Sequence, residues 1–310
     1  MIWKLSFIVV FAYSIGYSQI SSVNIVETSK TATYDSTENF LGNNPQLYKG
    51  TDLYLPGKSQ SLQKYGYDDF KDSPNFGVRY IGEDVYKCCS DQADYYSSYS
   101  LLAGSTFKVI DVKKTDDVWY AWYLILQHKG DQSIAYFNYS PEAESSFPFI
   151  DMRVFNKIKQ KTLNKCYIVK QDSFNDYDTI KSIDGEIIDS IWSFVWKCID
   201  VVIEERYYSL SLLLENCNQK RIVFNVDRLN KEEYIIPADM AEIYKVGFGL
   251  FWYKVIQNLV TIGMSERMVR VAWGSPVSTN KTITKGSVTE QWVYNGSYVY
   301  FNNGIVNAIQ

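Results

Sequence analysis

Two Asn-Gly pairs, Asn295-Gly296 and Asn303-Gly304, divide the end of the chain into runs of aromatic and β-branched residues. An Asn-Gly pair supplies the positive-φ residues of a tight hairpin turn, so each pair sets both a turn and the register of the strands it joins. The reading is a three-stranded antiparallel meander over Glu290–Gln310. Two-residue turns place Tyr294 opposite Ser297, Trp292 opposite Val299, Asn302 opposite Ile305 and Phe301 opposite Val306. Side chains alternate along a strand, so Trp292, Tyr294, Val299, Phe301, Val306 and Ala308 share one face, and Gln291, Val293, Tyr298, Tyr300, Asn307 and Ile309 the other.

The first face is apolar and needs a cover. Phe251, Val255 and Leu259, with Trp252 and Ile256 beside them, recur at helical spacing between Gly249 and Asn258. A second, short helix begins at Ser265, whose hydroxyl can cap free N–H groups. Glu266 suits its first turn, and Met268, Val269 and Ala272 form its inner stripe. Gly274-Ser-Pro276 ends it, because glycine accepts a left-handed terminus and proline cannot continue the helix.

Two groups of this segment are functional candidates. Glu290 falls on the covered face opposite Phe301, where a carboxylate needs donors. It reads as a structural acceptor for N–H groups near Ser265 or the Gly274-Ser275 turn, with a raised-pKa acid as the sharper alternative. On the other face, Tyr298, Tyr300, Val293 and Ile309 form an exposed binding patch if helices cover one side only. If a preceding β module packs there, the same residues form an internal interface.

Gly263-Met264-Ser265, Val269, Trp273-Gly274-Ser275-Pro276, Glu290 through Trp292 to Tyr294, and Tyr298 through Phe301 to Gly304 resemble the SmpA/OmlA (BamE-like) module of small cell-envelope proteins. The resemblance covers about 248–310. It implies a two-layer α+β domain that serves as a protein-binding module or in outer-membrane assembly. The chain departs from the lipoprotein members in having no lipid-accepting cysteine after its leader and in carrying the module at the end of a long chain. The resemblance therefore implies fold and not function.

At the other end, Lys4, the apolar run Leu5–Ile15 and the small residues of Gly16-Tyr17-Ser18 read as a secretory signal peptide cleaved after Ser18. The mature chain is expected to be exported, periplasmic or extracellular, with no transmembrane span. Residues 19–44 read as a polar, loosely ordered arm. Beyond it, a bias to strands follows from 26 tyrosines, 16 phenylalanines and 8 tryptophans against 7 prolines. A formal charge of −4 without a basic stripe argues against nucleic acid as a partner.

The middle of the chain repeats itself. Phe107-Lys-Val-Ile-Asp-Val112 aligns with Trp196-Lys-Cys-Ile-Asp-Val201, and Ile134–Asn138 with Arg221–Asn225. Each copy reads as a small, strongly bent sheet of SH3-like size. The expected architecture is mainly β: a first β module over 45–150, a connector over 151–180 with a helix from Met152 to Leu163, a second β module over 181–237, and the α+β module over 238–310.

The search for chemistry yields little. Ser105-Thr-Phe-Lys108 spells Ser-x-x-Lys but opens a strand and not a helix. His128, the single histidine, lies beside a hairpin turn and as a general base needs a nucleophile and an orienting group. Asp172–Asp178 carries oxygen ligands but lacks the glycine and distal glutamate of a calcium loop. The cysteines at 88, 89, 166, 198 and 217 match no zinc spacing. Cys88 and Cys89 read as two separate thiols, the alternative being a bond between them. These readings point to a non-catalytic binding protein of the cell envelope, without cofactor or metal, whose partner is a protein or an envelope polymer. The alternative is an envelope-polymer hydrolase working through carboxylates.

Overall fold

The chain, taken from a computed structural model, is described at residues 34, 36–74, 84–115, 121–170, 180–204 and 209–310. The segment read as a signal peptide and the acidic stretch Asp172–Asp178 lie outside them. The fold is mainly β and is built on three antiparallel sheets.

The first sheet contains β1 (Asp52–Tyr54), β2 (Phe70–Lys71), β3 (Thr106–Lys114), β4 (Trp122–His128), β5 (Ile134–Tyr139) and β6 (Ile150–Asp151), ordered β2-β5-β4-β3-β1-β6. Two single-turn helices, α1 (Gln60–Gln63) and α2 (Tyr99–Leu102), sit in the long excursion between β1 and β3. Inward-facing phenylalanines fill the bend: Phe70, Phe107, Phe137 and Phe149 are buried, with ring centroids 5.0 Å apart for Phe137 and Phe149. The second sheet follows helix α3 (Met152–Thr162). It contains β7 (Cys166–Val169), β8 (Val195–Glu204), β9 (Ser209–Glu215), β10 (Arg221–Asn225) and β11 (Ile235–Pro237), ordered β10-β9-β8-β7-β11.

Counted from its own first strand, each sheet has the same order, with β2 added at one edge of the first. The likeness extends to detail. β3 carries a bulge at Ile110, between Val109 and Asp111, and β8 carries one at Ile199, between Cys198 and Asp200. A 3₁₀ turn precedes the last strand of each sheet, Glu144–Ser146 before β6 and Val226–Arg228 before β11. The repeat legible in the sequence is therefore a structural one. Strand β7 falls in the stretch read as a connector, because its four residues are too few to show an alternation.

Two further expectations change. The arm is anchored from Asn39 onward: its Nδ2 donates to the Phe149 carbonyl at 2.7 Å, and its Oδ1 accepts from the Asp151 N–H at 2.7 Å. Cys88 and Cys89 are bonded to each other, against the expectation of separate thiols. The other three cysteines are free: Cys166 lies on β7, Cys198 on β8 and Cys217 in the turn between β9 and β10.

The C-terminal unit places α4 (Ala238–Phe248), α5 (Trp252–Ile256) and α6 (Glu266–Trp273) against β12 (Ser278–Thr284), β13 (Ser287–Tyr294), β14 (Ser297–Asn302) and β15 (Ile305–Ile309). These strands form one sheet in sequence order. It has four strands where three were expected, because β12 is an edge strand exposed at every residue and offers no apolar alternation. Trp252, Val255 and Ile256 are buried as the helical spacing predicts. Leu259 is exposed instead, since the helix ends at Ile256.

Strands β7 and β11 lie between the core of the second sheet and that of the C-terminal unit. On β7, Tyr167 and Val169 face the second sheet's own core, while Ile168 packs on the C-terminal cluster; on β11, Ile235 and Ile236 divide the same way. Lys170, fully buried at the end of β7, donates from Nζ to the carbonyls of Val271 (2.5 Å), Ala272 (3.1 Å) and Glu232 (3.3 Å). Its ammonium satisfies carbonyls at the C-terminus of α6 that have no partner inside the helix.

Candidate functional site

The hairpin registers read from the Asn-Gly turns hold: Tyr294 faces Ser297, Trp292 faces Val299, Phe301 faces Val306 and Asn302 faces Ile305. Trp292, Val299, Phe301 and Val306 are buried under the helices, and the Trp292 and Phe301 ring centroids are 4.5 Å apart.

The residues that carry the family resemblance form a clasp around this sheet. Gly263, at φ +90°, donates its N–H to the Val306 carbonyl at 2.9 Å, and the Met264 carbonyl accepts from the Val306 N–H at 2.8 Å. The edge of β15 is thereby covered and Met264 buried. The Glu266 N–H bonds the carbonyl of Gly304, which turns at φ +78°. Ser265 Oγ accepts from the Met268 N–H and caps α6. At the other end of α6, Gly274 turns at φ +78° and leads to Pro276. A Cβ at Gly274 would lie 2.8 Å from Glu233 Cδ. Tyr294 donates its hydroxyl to the Gly274 carbonyl at 3.0 Å and meets Trp273 edge to face at 5.3 Å. Burial pushes the Tyr294 phenol up to about 12.

Glu290 lies opposite Phe301, as expected, but bonds other donors. Lys281 Nζ is 2.5 Å from its Oε1, and Trp292 Nε1 donates to Oε2 at 3.1 Å. The unforeseen strand β12 brings in that lysine, so no backbone N–H near Ser265 or Gly274 is used. Lys281, then the indole, hold the carboxyl below its ordinary range. The raised-pKa alternative is therefore corrected. Arg270 of α6 lies over the Trp292 ring at 4.2 Å from the centroid and completes the cluster.

The opposite face is where the binding patch was expected. Val293 is half-buried, Tyr298 is 39 % exposed, and Tyr300 lies beside them. A line of hydrogen bonds runs across β12, β13 and β14 to the residue that follows β15: Asn280 Nδ2 donates to Gln291 Oε1 (2.9 Å), Gln291 Nε2 to the Tyr300 hydroxyl (3.0 Å), and that hydroxyl to Gln310 Oε1 (3.1 Å). Ile309 leaves the patch. A bulge at Asn307 pairs Tyr300 with Ala308 and Val299 with Ile309, which moves Ala308 to the tyrosine face and Ile309 to the helix face. Asn280 and Gln310 are the contributors missed from sequence. The paired strand positions on this face, from Ser278 and Asn280 through Gln291 to Ala308, carry no charged residue.

His128 has the partners that the sequence did not show. Its Nε2 lies 2.9 Å from Ser105 Oγ, and its Nδ1 2.7 Å from Asp131 Oδ1. Lys87 and Ser133 hold the Asp131 carboxyl well below the usual carboxylate range. The connectivity is that of a serine triad, yet its donors are spent locally. The Ser105 N–H bonds the Leu102 carbonyl, and the Asp131 N–H bonds Nδ1 at 3.2 Å. Acyl transfer needs N–H groups aimed at an oxyanion beside the nucleophile. Through His128 the cluster also ties the β4–β5 turn to the start of β3.

Comparison with protein-family models, with curated proteins and with solved structures yields no match to the chain.

Proposed function

We propose that this protein is an exported cell-envelope binding protein, built from two SH3-like barrels and a BamE-like α+β module, and that its ligand is a neutral envelope glycan bound on the tyrosine face. The SH3-like reading is supported by the shared strand order, in which the last strand pairs with the first, and by the 3₁₀ turn before each last strand. The BamE-like reading is supported by the clasp of Gly263, Ser265, Gly274 and Tyr294 around the sheet. Export is supported by the apolar run Leu5–Ile15 behind Lys4. Among the described residues, no helix is long and apolar enough to cross a membrane.

The observation that carries the ligand class is the uncharged face itself. Phenol rings and amides in a hydrogen-bonded row offer flat apolar area with donors and acceptors at its edge, which suits a polymer of sugar rings. A protein partner selected by charge would find nothing complementary there. Co-sedimentation of the mature protein with insoluble envelope glycan tests the reading. Tyr298→Ser with Tyr300→Ser is expected to abolish pelleting while the melting temperature is retained. Unchanged pelleting by the double variant overturns it.

A further inference from the structure

The end of the C-terminal unit where α4 turns into α5 carries apolar side chains that lie in solvent. A 3₁₀ turn, Gly249–Phe251, joins the two helices. Leu250 in that turn is 96 % exposed, Val246 in the last turn of α4 is 85 % exposed, and Tyr253 at the start of α5 is 59 % exposed. Their neighbours hold this elbow from beneath. Trp252 and Val255 are buried, Phe248 stacks on Tyr244 with ring centroids 5.1 Å apart, and Phe251 packs on the same core. A Cβ at Gly263 would lie 3.3 Å from the Phe251 ring, so exposed Ile262 belongs to the same apolar end. Apolar residues exposed singly are ordinary, whereas several together on a firmly packed element mark a docking surface.

Shape and charge select the occupant. A Cβ at Gly247 or Gly249 would meet nothing within 4 Å, so the elbow is a convex tip and not a groove. Between Glu242 and Glu266 the charged residues are Lys245 and Lys254. Both are exposed, and neither forms an ion pair among the described residues. The acidic residues of α4, Asp239 and Glu242, lie in its first two turns, away from the elbow. A second copy offers the same convex tip and the same two cations, and so no complement. A lipid surface does complement it, because acyl chains deform around the apolar tip while the ammonium groups reach headgroup phosphates on their own apolar stems.

We propose that the α4–α5 elbow is an interfacial anchor that inserts Val246, Leu250 and Ile262 into an anionic lipid surface, with Lys245 and Lys254 on the headgroup phosphates. Tyr253 then sits at headgroup depth, its ring against the acyl boundary and its hydroxyl in water. The anchor uses no residue of the tyrosine face and stands independently of the glycan reading. Its hold combines a small apolar area with two charge attractions, so it is reversible and weakened by salt.

Co-sedimentation of the mature protein with vesicles tests the proposal. Vesicles of phosphatidylcholine with an equal share of phosphatidylserine are expected to pellet the protein at about millimolar lipid. Phosphatidylcholine alone is expected to pellet it at least about tenfold less well, as loss of two lysine–headgroup attractions requires. Val246→Asp with Leu250→Asp is expected to weaken pelleting on the anionic vesicles at least about tenfold, and Lys245→Gln with Lys254→Gln to do the same. Both variants keep the parent melting temperature, because all four side chains are in solvent. Leu101→Asp, at an equally accessible leucine on α2, is expected to pellet as the parent does. The proposal is overturned by no pelleting up to about 10 mM anionic lipid, by equal pelleting on the two kinds of vesicle, by pelleting unmoved in either elbow variant, or by an equal loss in Leu101→Asp. A dimer that forms without lipid and is abolished by Val246→Asp with Leu250→Asp also overturns it, since the elbow then belongs to a second copy.

Discussion

Asp111 and Asp200 stand just past the bulge in the two repeats and make the same pair of bonds. Asp111 pairs with Lys49 at 2.7 Å and accepts from the Val112 N–H. Asp200 pairs with Lys159 at 2.7 Å and accepts from the Val201 N–H at 2.8 Å. In each copy the lysine comes from the segment before the first strand: Lys49 directly follows a 3₁₀ turn at Pro45–Tyr48, and Lys159 lies in α3. The bulge aims the carboxylate at that segment, so the ion pair ties it to the sheet in both repeats.

These contacts set a pH dependence. The lysines first, then the backbone N–H groups, hold both carboxyls below their ordinary value. Each contribution is therefore present in full above the unfolded carboxylate range near about 4 and is lost as pH falls toward the lower folded value. The melting temperature is expected to change little from neutral pH down to about 5 and to drop below about 4. Both pairs are solvent-exposed, so Asp111→Asn with Asp200→Asn is expected to cost little at pH 7 and to shrink the acid drop by the same small amount. Thermal melts across pH check this.

Lys170 is the tie between the second sheet and α6. Lys170→Met keeps the stem volume but leaves the Val271 and Ala272 carbonyls without the ammonium. The expected loss is about 2–4 kcal/mol, since buried acceptors are stranded. Urea unfolding of the variant measures it, and a loss within error of zero contradicts the tie.

Glu290→Gln is expected to be mild. The amide oxygen still accepts from Trp292 Nε1, and only the charge pairing with Lys281 is lost. A cost of about 1 kcal/mol or less is expected. Trp292→Ala, which empties the buried ring position beside Phe301, is expected to cost about 3–5 kcal/mol. Chemical denaturation of the two variants side by side checks the contrast.

The brace reading of His128 predicts chemical inertness at Ser105. A fluorophosphonate probe is expected to leave Ser105 unlabelled. His128→Gln is expected to lower stability by about 1 kcal/mol through loss of the Ser105 and Asp131 contacts. Labelling of Ser105 that is lost in His128→Gln contradicts the brace and makes the triad reactive.

The sequence carried those parts of the fold whose information is local. Asn-Gly turns specify register without outside help, and so the pairing of Trp292 with Val299 and of Phe301 with Val306 is readable. The bulge at Asn307 is not, because it depends on how the end of β15 meets β14, and it moves Ile309 to the other face. Strand β12 escapes for the opposite reason: a polar edge strand is held by backbone bonds to β13 and leaves no apolar period. The alternation therefore puts Glu290 on the correct face but carries no sign of Lys281 as its donor. Ser105, His128 and Asp131 come together only through the pairing of β3 with β4.

Hydroxyl-radical footprinting of the mature protein with and without soluble envelope glycan tests the tyrosine face most directly. Tyr298 and Tyr300 are expected to lose reactivity when glycan is bound, while Tyr95 and Tyr253, 50 % and 59 % exposed elsewhere on the surface, keep theirs. Protection that spares Tyr298 and Tyr300 while glycan is demonstrably bound contradicts the account.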